Sequence, residues 1–325
     1  MDNLEGMSLL PEKCANLIIA DPPYFEIKGE FDFVFKDFAE YLEFMEQQAK
    51  AYKRILADNG TLFVYGYAKR IAYVQVIFDK YFNLENSLVW RKPYSFTEMF
   101  SDDLRSFPMR CFERILMYSN DFEPNGYSIT GLESVHNNPE NFKTIKQYLD
   151  DELCKSGIVL KDVNSIWGNL RASHCFGFTK KNKSQFQFLS EAQYALLQTK
   201  TGNFGREYEA LRQEYEAQRQ EYEAQRRPFN NYLKLHDCFE FTNGNPSNYD
   251  HDTVKPETLT RALLLTCSRP NDLVVVPFSG SGTEHAMAIK EGRRSIGFDI
   301  EKKYVDMSNK RAAVHLSAPP LFNCG

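Results

Sequence analysis

The sequence has no excess of positive charge, no CxxC pair and no long apolar run, and each absence removes a class of protein. Lysine and arginine number 39 against 44 aspartates and glutamates, a net charge of −5, so a polyanion partner would need a local basic patch rather than a global field. The seven cysteines, at 14, 111, 154, 175, 238, 267 and 324, are odd in number and scattered, which implies neither a disulfide framework nor a metal site of the zinc type. No apolar stretch approaches the ~18 residues of a membrane span. Met1-Asp2-Asn3-Leu4-Glu5 carries acids where an export signal needs basic residues, so a cytoplasmic chain without a membrane partner is expected. Tryptophan is scarce, but phenylalanine and tyrosine bring the aromatics to 14% of 325 residues, ample for a buried core.

What is present is an alternation of strand and helix patterns. Asn16 to Ala20 is a short apolar run of the kind a strand buried on both faces shows, and Asp21-Pro-Pro-Tyr24 stops it abruptly. Apolar residues recur at helical spacing from Asp37 to Ala57, with Asp58-Asn59-Gly60 expected as the helix cap. Thr61 to Tyr67, Ser87 to Trp90 and Glu113 to Tyr118 read as strands, with a helix over roughly 68 to 80. A helix from Glu257 to Ser268, a strand Asp272 to Val276, another helix to Glu291 and a strand Ser295 to Phe298 close the pattern. This predicts an α/β fold with a mostly parallel sheet. The expected division is 1–118 and 250–325 as one domain, with 119–249 as a mainly helical insertion.

Two motifs sit at predicted strand ends. Phe278-Ser-Gly280-Ser281-Gly282-Thr283 is a glycine turn between strand and helix, which can hold a nucleotide-like group against backbone N–H groups. It lacks the lysine of a phosphate loop and the third glycine of the dinucleotide fingerprint, so an adenosine with a zwitterionic amino-acid tail suits it. Asp299, at the end of the next strand, can accept from ribose hydroxyls. The other motif, Asp21-Pro22-Pro23-Tyr24, suits an exocyclic base amine, whose lone pair is delocalised into the ring. The Asp21 carboxylate and the Pro22 carbonyl, accepting its two N–H bonds, would localise that pair and aim it at an electrophile. The prolines fix the carbonyl, and Tyr24 offers a face on which a flipped base can stack.

Leu17-Ile-Ile-Ala-Asp-Pro-Pro-Tyr24, Gly60-Thr-Leu-Phe-Val-Tyr65, Trp90-Arg-Lys92, His251-Asp-Thr-Val-Lys-Pro256 and Pro277-Phe-Ser-Gly-Ser-Gly-Thr283 together resemble the beta class of amino-group DNA methyltransferases, in content and in order. The resemblance implies a Rossmann-like mixed sheet with circularly permuted motifs, and methyl transfer from S-adenosyl-L-methionine to N6 of adenine in double-stranded DNA. Cytosine N4 or an RNA amine are the alternative targets. It implies Asp21, Pro22, Pro23 and Tyr24 as the catalytic pocket. Phe278, Gly280, Ser281, Gly282, Thr283 and Asp299 are implied as the cofactor set, with Lys255 reaching the cofactor's carboxylate and Asp2 its adenine. A cognate restriction enzyme is a possible partner on the same ground. Val276 stands where the family has Asp, which keeps open a DNA-binding homologue with weakened catalysis.

The insertion carries the local basic footprint. Between Asp162 and Glu191 there is no acid, and Arg171, Lys180, Lys181 and Lys183 interleave with Trp167, Phe176, Phe178, Phe186 and Phe188. Helices over Thr144–Lys155 and Val159–Trp167, with a third element from Asn169 to Cys175, outline a helix-turn-helix, or else a helical clamp for phosphates. A heptad repeat with Tyr208, Tyr215 and Tyr222 in register predicts a solvated helical arm, with a homodimer or DNA-contacting arm as the alternative.

Overall fold

The apolar run at Asn16–Ala20 forms β1 (Ala15–Ala20), whose side chains are buried on both faces of a sheet. The computed structural model describes residues 1–25, 34–92, 112–120, 142–168, 172–176, 186–231, 233–242 and 254–316. They fall into two units, Met1–Tyr127 with Arg227–Gly325, and Ser128–Arg226. In chain order the first unit holds α1 (Asn3–Ser8), β1, α2 (Phe38–Ile55), β2 (Leu56–Gly66), α3 (Ile71–Phe78), β3 (Asn83–Arg91) and β4 (Phe112–Ser119). The second holds α4 (Lys143–Ser156), α5 (Leu160–Trp167), α6 (Ala172–Cys175), α7 (Glu191–Thr201) and α8 (Tyr208–Gln225). The first resumes with β5 (Cys238–Glu240), α9 (Glu257–Cys267), β6 (Leu273–Val276), α10 (Thr283–Lys290), β7 (Arg294–Gly297) and α11 (Lys302–Leu316).

Among the described residues the strands form one sheet in the order β5-β3-β4-β2-β1-β6-β7. β4 alone runs against its neighbours β2 and β3. The other pairs, β1 with β2 and β6, β6 with β7 and β3 with β5, are parallel. The fold is therefore the mixed, mostly parallel sheet the sequence implies. Alternation along β1 sends Ile18 and Ala20 to a cluster with Tyr41, Met45, Tyr52 and Phe78. Leu17 and Ile19 go to a second cluster with Leu263, Met287 and Val276. Each face is thus covered by helices, which is why β1 reads as a continuous apolar run.

Two local expectations change. The helix α2, capped by the Asp37 carboxylate on the Glu40 N–H, ends with Leu56 already extended. Asp58-Asn59-Gly60 lies inside β2 and is not a helix cap. The register passes from Ala15↔Leu56 to Leu17↔Thr61, so the extra residues form an irregularity in the strand. Gly60 is needed there because a Cβ would stand 2.6 Å from the Leu56 side chain. Residues 227–242, expected in the insertion, belong to the sheet unit. β5 pairs with β3, and the Trp90 indole donates to the Phe241 carbonyl at 2.9 Å.

The insertion has its own core, around Phe142, Ile145, Leu149, Val163, Tyr194, Leu197, Phe204 and Leu211. The first half of the heptad helix α8 packs against that core through Leu211, Tyr208 and Tyr215, while its second half has no buried residue. Tyr215 stacks on Phe188 at 4.7 Å and 8° and lies 4.8 Å from the Phe142 ring, while Leu211 is fully buried. Phe176 and Phe186 are also core residues, so among the described aromatics of the basic stretch these two are unavailable for stacking on bases. The first two helices of the expected helix-turn-helix are α4 and α5, broken by Gly157 in the left-handed region. The third, α6, is one turn, tied to α5 by the Ala172 N–H donating to Asn164 Oδ1 at 2.9 Å. Arg171, Lys180, Lys181 and Lys183 lie outside the described residues. Tyr215→Ala should destabilise the insertion by about 2 kcal/mol through lost packing. Urea unfolding followed by tyrosine fluorescence measures it; an exposed arm would show no change.

Candidate active site

Asp21-Pro22-Pro23-Tyr24 leaves the carboxyl end of β1, and the glycine turn leaves the carboxyl end of β6. Because these strands are parallel neighbours, with Leu17↔Val274 and Ile18↔Val275 in register, the two motifs emerge side by side at one sheet edge, where open α/β sheets bind ligands. The chain reverses its direction of strand addition here, running from β1 to β2 on one side while β6 is added on the other.

The Asp21 carboxylate is held by two donors. The Tyr24 hydroxyl donates to Oδ1 at 2.5 Å and the Lys255 ammonium to Oδ2 at 2.6 Å. Lys255 also lies 3.5 Å from Glu113 Oε2 and 5.0 Å from the centroid of the Tyr65 ring. Glu113 is in turn paired with Lys92. Burial opposes charge on Lys255, but Asp21 and Glu113 outweigh it and hold the ammonium above its ordinary range. Burial likewise raises Glu113, and the Lys255 and Lys92 charges reverse this and hold it below the usual carboxylate range. The Tyr24 phenol is pushed well up by burial, then by Asp21 and Glu113, so it stays a donor. No hydrogen bond to the Pro22 carbonyl occurs among the described residues.

The glycine turn is shaped by its neighbours. Gly280 and Gly282 have φ of 45° and 74°, and a Cβ on Gly282 would lie 2.5 Å from Ser308 Cα. Asp299 accepts from the Gly280 N–H at 2.9 Å and from the Glu301 N–H at 2.9 Å, tying the turn to the end of β7. Each oxygen retains a further lone pair for a ligand hydroxyl. Ser281 and Thr283 are buried. Arg311 donates to the Ser281 carbonyl and to Thr283 Oγ1, at 2.8 and 2.9 Å, and the Ser281 and Thr283 hydroxyls lie 3.2 Å apart, so the loop is braced from within. The half-buried Phe278 ring lies 6.2 Å from Phe44.

Three expectations are thereby revised or refined. Lys255, implied at the cofactor's carboxylate, meets Asp21, Tyr24 and Glu113. Asp2 caps α1 by accepting from the Leu4 and Glu5 N–H groups, and the Met1 amino group donates to the Asp299 carbonyl at 2.9 Å, which ties this terminus to the residue that holds the glycine turn. Val276 is 1% exposed and part of the apolar face. Sequence reasoning missed Glu113 and Lys92. Glu113 opens a predicted strand and Lys92 follows Trp90-Arg91, but only the antiparallel pairing Trp90↔Glu113 shows that they meet. Lys92→Met should let Glu113 rise toward its ordinary value. A depressed carboxylate stabilises above its unfolded pKa, and the gain is lost as pH falls through the depressed value. The variant should therefore be about 2 kcal/mol less stable near pH 7 and converge with the unaltered protein in acid. Thermal unfolding across pH measures this.

Comparisons with known proteins agree with the geometry. The type II methyltransferase M.HinfI of Haemophilus influenzae is 26% identical over 331 residues, covering 95% of this chain and 66% of that protein. The DNA adenine methyltransferase YhdJ of Escherichia coli K12 is 43% identical over 74 residues, 22% of this chain and 25% of that protein. The chain thus spans about two thirds of the length of the first relative and aligns with a quarter of the second. Two solved structures share the fold. PvuII DNA methyltransferase, cytosine-N4-specific, has a TM-score of 0.52 at 15% identity, over 96% of this chain and 84% of that one. TTHA0409 of Thermus thermophilus, described as a DNA modification methylase, has 0.50 at 16%, over 98% and 94%. A model of the N6/N4 DNA methylase family matches residues 15–310, from β1 into α11, and on that extent the chain belongs to the DNA methylase family.

Proposed function

We propose that the chain transfers a methyl group from S-adenosyl-L-methionine to the N6 amine of an adenine flipped out of double-stranded DNA. The observation that carries this reading is the juxtaposition, through the β1–β6 pair, of a held carboxylate and the adjoining Pro22 carbonyl with a glycine turn. The turn fits an adenosine with an amino-acid tail. Asp299, which keeps lone pairs beyond its two backbone contacts, would accept from the ribose hydroxyls. The nearby guanidinium of Arg311 is engaged by Ser281, Thr283 and Glu257. S-adenosyl-L-methionine supplies an electrophilic methyl group.

The chain's own residues prepare the nucleophile. Asp21 and the Pro22 carbonyl accept the two N–H bonds of the amine, which draws its lone pair out of the ring and aligns it. A carboxylate offers about four acceptor positions, so Asp21 can take an amine N–H while Tyr24 and Lys255 hold it. Lys255 keeps the carboxylate ionised and oriented, and Glu113 balances the charge of Lys255. Once the nitrogen has gained its methyl group it must lose one proton, for which Asp21 is the adjacent base. The Tyr24 ring, fixed through its hydroxyl, is the surface beside which the base lies.

Asp at the first position of the tetrapeptide favours adenine, and the relative YhdJ is named an adenine methyltransferase. Cytosine N4 uses the same chemistry, and mass analysis of nucleosides from treated DNA separates the two. The type II naming of M.HinfI suggests a cognate restriction enzyme as part of this reading. The basic stretch of the insertion would supply DNA contacts, Lys180, Lys181 and Lys183 to phosphates and Arg171 to a base edge.

Asp21→Ala should abolish methyl transfer while leaving cofactor affinity within a few fold, as measured by tritium transfer and calorimetry. Equal turnover would remove Asp21 from the chemistry. Neutralising Lys180, Lys181 and Lys183 should weaken binding to all duplexes and flatten the salt dependence. Arg171→Ala should relax preference at one base pair by about 1–3 kcal/mol. Titrations of specific and random duplex at two salt concentrations distinguish these outcomes, and equal losses on both duplexes for Arg171→Ala would make it a phosphate contact.

A further inference from the structure

The catalytic cluster leaves one buried carboxyl without a role. Glu284 is in the first turn of α10, immediately after the glycine turn, and is 5% exposed. Its Oε1 lies 3.4 Å from the Thr260 hydroxyl, a long contact. Among the described residues no lysine, arginine or histidine nitrogen comes within 4.0 Å of it. The cations in its neighbourhood are engaged elsewhere, Lys255 with Asp21 and Glu113, and Arg311 with Glu257. Burial, and then the like charge of Asp21, push the Glu284 carboxyl above its ordinary range.

A carboxyl buried without a counter-ion is unfavourable unless a cation arrives to pair with it. Here it borders the turn that fits an adenosine with a zwitterionic tail, on the face of the sheet that α10 covers. Val276, the last residue of β6 on that face, is apolar, and unlike Asp21 and Asp299, which are held by partners of their own, Glu284 has, among the described residues, only the long Thr260 contact for its side chain. A pairing ammonium would exchange a solitary buried charge for a hydrogen-bonded ion pair. The start of α10 adds a favourable field for the ionised form.

We propose that Glu284 receives the ammonium group of the cofactor's amino-acid tail and so determines which adenosine derivatives the site accepts. The proposal rests on the S-adenosyl-L-methionine reading above. It makes the tail's positive end, and not the adenosine alone, a requirement for binding. A derivative without that ammonium leaves Glu284 as it is in the free protein and forgoes the ion pair.

The test is calorimetric and needs no turnover. S-adenosylhomocysteine and its analogue lacking the α-amino group are titrated into the full-length protein and into Glu284→Gln. The unaltered protein should prefer the amino-bearing ligand by roughly ten- to a hundredfold, the range expected for a hydrogen bond to a charged group. Glu284→Gln should bind S-adenosylhomocysteine correspondingly more weakly, while its affinity for the desamino analogue stays unchanged, so that the preference disappears. Loss of affinity for both ligands in equal measure would show that Glu284 merely supports the loop, and an undiminished preference would place the ammonium elsewhere; either overturns the proposal. If the unaltered protein binds neither ligand, it is the cofactor reading that fails. Circular dichroism and the thermal midpoint of Glu284→Gln confirm that the comparison is made on folded protein.

Discussion

The parallel pairing of β1 with β6 is the constraint on which the site depends. It joins segments far apart in the chain, Leu17 with Val274 and Ile18 with Val275, and so delivers Asp21 and the glycine turn to one edge. The pairing is held from both faces, because the residues of these strands alternate into two separate apolar clusters. Burying both faces removes the possibility of a one-residue slip without exchanging every side chain between them. The register of the sheet is therefore also the register of the site.

On that frame the chemistry is managed by charge. Asp21, Glu113, Lys255 and Lys92 form an alternating chain of acids and bases in which each buried charge has an opposite neighbour. Alternation is what allows these ionised groups to be accommodated at low exposure, since an unpaired member would be destabilising by roughly several kcal/mol. The consequence for Asp21 is orientation. Both oxygens are held, one by the Tyr24 hydroxyl and one by the Lys255 ammonium, so in the proposed reaction the carboxylate would meet an amine without reorganising. Glu284 stands outside this chain, and its isolation distinguishes it from the other acids of the site.

The insertion follows a different logic. Its helices share a core that takes up Phe176 and Phe186 of the basic stretch and the tyrosines Tyr208 and Tyr215 of the heptad helix. Tyr194 stitches that core together through its hydroxyl, which meets the Phe204 and Arg206 carbonyls at 3.0 and 2.8 Å. The described aromatics of the basic stretch, Trp167, Phe176, Phe186 and Phe188, pack with this core. Interleaving of that kind resembles a nucleic-acid footprint whether or not the rings touch a base.

The sequence by itself determined the α/β class, the order of the motifs and the positions of Asp21, the glycine turn and Asp299, because those depend on short-range signals. An apolar run, a proline pair and a glycine between strand and helix each act over a few residues. It also located α4 and α5, where a glycine in the left-handed region terminates each helix. Tertiary structure alone decided the remainder. Asp58-Asn59-Gly60 has the composition of a helix cap, yet pairing with β1 draws it into a strand. The tyrosine stripe of α8 has the period of a solvated arm, yet Tyr208 and Tyr215 pack against the insertion core. Lys255, Glu113, Lys92 and Glu284 come from separate stretches of the chain, and their roles follow from which charges lie within ion-pair distance and which do not. Coulombic and desolvation effects act through space, so no local pattern in the sequence records which charges meet.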